Sequence, residues 1–119
     1  MPNAKQHAFV GLAVGITGYA LYCHLSGRQF DLGEAALATG ACVLGSLCPD
    51  ALEPAIHSWH RGACHSVAVG GVAGHVAATP LLGSELPALE VLLLSFFALG
   101  YFSHLAMDAR TPRCLPLFG

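Results

Sequence analysis

Charge is what this chain has least of. Lys and Arg number five and Asp and Glu seven in 119 residues, so 10% of the chain is charged against 55% hydrophobic, with a mean hydropathy of +0.61. A soluble four-helix bundle needs Lys, Glu and Arg for a wet face, and too few are present, so a bilayer is the default solvent. The net charge of -2 and the lack of any basic stripe argue against a nucleic-acid partner, since nothing is available to neutralise phosphates. Cysteine is present without a framework. Cys23, Cys42, Cys48, Cys64 and Cys114 are odd in number and contain no C-x-x-C pair, which argues against a disulfide scaffold and a zinc ribbon and leaves small apolar packers. Low-complexity tracts, repeats and linkers are missing too, so residues 1–119 read as one small domain.

The few charges leave four uncharged runs: Gln6 to Gly27 (22 residues), Ala35 to Pro49 (15), Gly62 to Ser84 (23) and Val91 to Met107 (17). At about 1.5 Å per residue, about 20 residues cross a hydrocarbon core about 30 Å thick, so the first and third runs span comfortably. The second and fourth reach across by drawing in Leu32 to Glu34 and Leu86 to Glu90, with those carboxylates among the headgroups. The expected fold is all-α: four transmembrane helices over about 8–25, 33–49, 65–82 and 87–107, in a compact bundle. Lys5 ahead of an apolar stretch ending at Cys23 resembles a secretory signal, but no small-residue cleavage site follows, so the stretch reads as the first span. Pro49 and Pro54 punctuate a central connection from Asp50 to Gly62, and Pro80 to Pro87 separate the last two spans. The pairs Gly11 with Gly15 and Gly70 with Gly74 have the small-xxx-small spacing that lets helices approach closely, within the chain or in a homo-oligomer through Gly-rich faces.

In a four-span topology Lys5, Arg61, Arg110 and Arg113 share one side and Arg28 lies on the other, while Asp31, Glu34, Glu85 and Glu90 fall opposite the basic cluster. The positive-inside rule then puts both termini and the central connection in the cytoplasm, in an inner membrane. Six side chains fall on that same face: His7, Asp50, His60, His65, His104 and Asp108. His104 and Asp108, four apart, lie on one helix face about one turn from each other, and such a pair can share a cation. Asp50 closes the second span, where the helix macrodipole disfavours a carboxylate and a bound cation would compensate. The segment His60 to Ser66 holds two imidazoles beside Arg61, whose guanidinium can clamp a phosphate. Glu53, His57 and Cys64 are second-tier candidates, and a soft ligand at Cys48 or Cys64 would turn metal preference towards zinc.

The order of these motifs, His7, then Pro49-Asp50, then His60-Arg61-Gly62 through His65-Ser66, then Ser103-His104-Leu105 through Asp108 to Thr111-Pro112, resembles the YdjM-type inner-membrane metal-dependent hydrolases over the whole chain. The resemblance implies a membrane hydrolase with a metal site built from those residues. The chain departs from the pattern at Leu52 and Glu53, where a further Asp and often a His are usual, at Cys64, where Thr is usual, and at Arg113-Cys114, which displaces a glycine.

Imidazole and carboxylate ligands together suit Zn²⁺ or Mn²⁺ better than Mg²⁺ or Ca²⁺. A divalent ion with an open position activates water and polarises a phosphoryl or acyl oxygen, so the expected activity is metal-dependent hydrolysis at the cytoplasmic membrane face, on a phosphoester or lipid-linked substrate. His7, Asp50, His60, His65, His104 and Asp108 are the expected ligands, Asp50 and His60 also the catalytic candidates, and Arg61 the substrate anchor; Ser66 and Ser103 would orient ligands. Two alternatives need no catalysis. One is a metal-binding or transport protein, for which His75, about 15 Å into its span, would extend a polar path with Thr17, Thr39 and Ser46; a neutral imidazole hydrogen-bonded between helices is the blander reading of His75. The other is a small structural membrane protein that self-associates.

Overall fold

The computed structural model describes residues 3–52, 67–82 and 89–109, and these form four helices: α1 (Ala4–Ser26), α2 (Leu32–Leu52), α3 (Val67–Leu82) and α4 (Leu89–Ala109). The bundle is all-helical, with α1, α2 and α4, of 23, 21 and 21 residues, each long and apolar enough to cross a membrane. The described α3 is shorter, at 16 residues, and equally apolar. Phe9, Leu25, Leu44 and Leu94 point outward from the three long helices, as side chains facing lipid do.

Local chemistry fixes where α1 starts and stops. Asn3 and Gln6 form a capping box: the Gln6 backbone N–H donates to Asn3 Oδ1 at 3.0 Å and the Asn3 N–H to Gln6 Oε1 at 2.8 Å. At the other end Gly27, at φ 72°, takes the left-handed conformation that closes the helix, its N–H donating to the Cys23 carbonyl. α2 then starts at once, because Asp31 Oδ1 accepts from the Glu34 N–H at 2.9 Å. The acidic residues Glu34 and Glu90 thus lie in the first turns of α2 and α4, where the helix dipole favours them.

Packing sets the register. α1 runs antiparallel to α2, with Gly11 against Ser46, Gly15 against Thr39 and Cys42, and Tyr19 against Glu34. Gly70 and Gly74 of α3 meet Leu105 and Phe102 of α4, so all four paired glycines are used in packing within the chain. The closest approach is elsewhere. A Cβ built on Gly45 would run into the Phe97 carbonyl, and one on Gly100 into the Cys42 carbonyl, so α2 and α4 cross backbone against backbone. On one side of this crossing Tyr19, Tyr22, Cys23, Ala35, Ala38, Cys42, Leu92 and Phe96 form the apolar core.

One proline does not punctuate as the sequence suggests: α2 continues through Pro49, which is fully buried, to Leu52. α3 ends at Leu82, where the sequence puts the end of the third span. Proline removes one backbone donor and crowds the carbonyl four residues earlier, which for Pro49 is Gly45, a residue with no side chain to add to that crowding. The extra turn carries Asp50 on a helix instead of in a connection.

The end of the bundle where α1 meets α2 is tied by a polar clasp. Tyr19 Oη donates to Glu34 Oε1 at 2.9 Å, Arg28 Nη2 donates to Glu34 Oε2 at 3.1 Å, and Arg28 Nη1 donates to the Tyr22 hydroxyl at 3.1 Å. The bond to Tyr22 first, and the Glu34 charge after it, hold the Arg28 pKa above its ordinary value, so this cation is permanent.

Candidate metal centre

At the opposite end, three helices bring four ionisable side chains together. His7 comes from the first turn of α1, Asp50 from the last turn of α2, and His104 and Asp108 from the last turns of α4. The antiparallel α1 and the parallel pair α2 and α4 put these turns at one level. His7, His104 and Asp108 are buried, at 1%, 0% and 2% exposure, while the Asp50 side chain is 31% exposed and forms the open edge.

The imidazole of His104 is oriented from behind. Its Nδ1 lies 2.5 Å from the Ser46 carbonyl oxygen, which requires the proton on Nδ1 and turns Nε2 towards the carboxylates. Nε2 is 3.4 Å from Asp50 Oδ1 and 3.2 Å from Asp108 Oδ2. The other oxygen of Asp108, Oδ1, is 3.6 Å from His7 Nε2. The two rings stack, centroids 3.5 Å apart and 11° from parallel.

Two carboxylates face two imidazoles, a donor set that a cation would suit. His7 is the sharper indicator. Both of its ring nitrogens are buried without a hydrogen-bond partner among the described residues. Leaving such an atom unsatisfied costs about 1–3 kcal/mol, a cost that coordination to a cation would remove at one of the two nitrogens. One donor atom each from His7, Asp50 and His104 lie within 4.8 Å of one another, and Asp108 adjoins them, so the group could hold a metal ion.

Of the residues that the sequence suggests as ligands, His7, Asp50, His104 and Asp108 converge. His60 and His65 lie outside the described residues, as do Arg61, Ser66 and the second-tier Glu53, His57 and Cys64. Ser103 is buried, but its hydroxyl donates to the Gly100 carbonyl at 2.7 Å, so its proton is committed to its own helix and not to a ligand. The orienting role falls instead to Ser46, through its backbone, which no side-chain motif announces. Cys48 is half-buried with a free thiol and is outside the converging group. His75 lies on an exposed face of α3 and Thr17 on an exposed face of α1, whereas Thr39 and Ser46 are buried, so these residues do not line one path.

Comparison of the chain with protein-family models, with curated proteins and with solved structures gives no match.

Proposed function

We propose that this chain is a membrane-bound metal-dependent hydrolase of the YdjM type, acting at the cytoplasmic face of an inner membrane on a phosphoester or lipid-linked substrate. The observation that carries the metal reading is His7: a buried imidazole, unpartnered at both nitrogens, stacked on His104 and beside Asp108. The cytoplasmic placement rests on the basic residues, with Lys5 at the end of α1 that carries the site and Arg28 at the far end.

His7, His104, Asp108 and Asp50 would hold the ion, Zn²⁺ or Mn²⁺ by the chemistry of the donors. When bound, a divalent ion lowers the pKa of water towards about 7 and polarises a phosphoryl or acyl oxygen. Ser46 keeps His104 in the ligating tautomer. Asp50, at the exposed edge, is the carboxylate best placed to receive a proton from an attacking water. On sequence grounds His60 and His65 add ligands, His60 doubles as general acid and Arg61 clamps the substrate anion. The test is elemental analysis of the detergent-purified protein beside a His104→Ala/Asp108→Ala variant. Zinc or manganese lost in the variant supports the site and justifies a screen of phosphate and carboxylate esters. No metal after reconstitution sinks the hydrolase reading.

A second reading rests on the burial of three of the four donors, which suits a cation that pins helices together without turning over. A protein that binds metal and gains thermal stability but hydrolyses no ester would be this scaffold.

A further inference from the structure

The stacked geometry of His7 and His104 bears on how many ions the site takes. An imidazole nitrogen ligates along its own ring plane, because its lone pair lies there. Two rings 3.5 Å apart and nearly parallel aim their lone pairs along parallel planes, not at a common point. A single ion midway would sit about half that separation out of each plane. At a metal–nitrogen distance of about 2.0–2.1 Å it would then be roughly 60° away from both lone pairs. Ions held one in each plane would instead be separated by about the stacking distance, which falls within the spacing of about 3.5–4 Å typical of two-metal sites.

Asp108 has the matching arrangement. Its Oδ2 faces His104 Nε2 at 3.2 Å and its Oδ1 faces His7 Nε2 at 3.6 Å, so one carboxylate offers a separate oxygen to each ring. Asp50 Oδ1 is near His104 Nε2, at 3.4 Å, and adds a third donor beside that ring. An ion in the second position would satisfy His7 Nε2, which has no hydrogen-bond partner among the described residues.

We propose that the site is dinuclear, with Asp108 bridging, His104 and Asp50 on one ion and His7 on the other, and that its substrate is a phosphate ester. This rests on the metal reading above and deepens it. Paired ions at this spacing suit in-line displacement at phosphorus, where charge builds on attacking and leaving oxygens together. The water oxygen forms a new P–O bond as the ester P–O bond breaks; the water proton passes to Asp50, and the leaving alkoxide takes a proton from solvent. His104 Nε2 has two carboxylate oxygens within 3.4 Å, so the position at His104 fills first and the His7 position second.

The test is titration of the full-length protein in detergent with Mn²⁺, read by bound-metal stoichiometry and electron paramagnetic resonance. Two equivalents are expected, with the six-line signal of the first giving way to a broadened, exchange-coupled spectrum as the second binds. His7→Gln and His7→Ala should each hold one equivalent and show no coupling. One equivalent at saturation in the wild type, or two without coupling, overturns the dinuclear site while leaving a mononuclear hydrolase standing. No bound Mn²⁺ at all removes both readings. Since the decisive spectrum is that of the wild type, a variant that fails to fold does not decide the matter. Inorganic phosphate should perturb the coupled spectrum where acetate at equal concentration does not; equal responses overturn the phosphate-ester assignment.

Discussion

His7 and His104, from the first turn of α1 and the last turns of α4, lie face to face with ring centroids 3.5 Å apart. Both rings are buried, and each belongs to a different helix of the bundle. The contact therefore joins the chemistry of the site to the packing of the bundle.

The first prediction concerns stability. A ligand that binds only the folded state at about 100 times its dissociation constant adds about 2.7 kcal/mol. Manganese or zinc should therefore raise the thermal midpoint in detergent, and a chelator should reverse the gain. The His104→Ala/Asp108→Ala variant should show no metal-dependent shift in the same melt. A variant that kept the shift would place the metal elsewhere.

Glycines at the helix crossing should behave unlike exposed ones. Gly45→Ala and Gly100→Ala push a methyl into a facing backbone carbonyl, so each should cost about 1–3 kcal/mol or more as the helices separate. Gly40→Ala and Gly71→Ala meet nothing within 4 Å and should be neutral or stabilise by up to about 1 kcal/mol through helix propensity. Thermal melts of the four variants check this contrast, and equal effects would contradict the crossing geometry.

Gly11 links packing to metal affinity. An added Cβ would meet Ser46 Oγ at 2.5 Å and Ser46 Cβ at 2.9 Å, just where the Ser46 carbonyl orients His104. Gly11→Val should displace α1 and its His7, weakening metal binding by about 10–100-fold, the range seen when groups supporting a ligand are disturbed. Isothermal titration with Mn²⁺ measures it; unaltered affinity would mean that α1 contributes no ligand.

The clasp at the far end should separate stability from the site. Glu34→Gln weakens the pairing with Arg28 and the bond from Tyr19. The side chains are 26% and 18% exposed for Arg28 and Glu34, and at that partial screening a loss of about 1 kcal/mol is expected. Metal stoichiometry should not change. Loss of bound metal would show that the clasp sets the register of His7.

Much of this arrangement is legible in the order of residues. Few charges and four apolar runs define four helices, and alternating direction carries His7, Asp50, His104 and Asp108 to one end. The features that are not legible have physical causes. Pro49 reads as a helix terminator, yet Gly45 four residues earlier leaves room for α2 to continue and carry Asp50. Searching for glycines four apart finds Gly11 with Gly15 and Gly70 with Gly74, but the tightest contacts belong to Gly45 and Gly100, single glycines on different helices that no periodicity relates. The hold on His104 comes from a backbone carbonyl, which every residue has, so the identity of Ser46 gives no sign of it.

Donors about a hundred residues apart along the chain meet only when α1, α2 and α4 have all assembled. A partly inserted chain holding α1 and α2 alone has His7 and Asp50 but lacks the histidine and carboxylate of α4. Were an ion held there, its capture would report completed assembly, and during synthesis the affinity would rise only once α4 has joined α1 and α2.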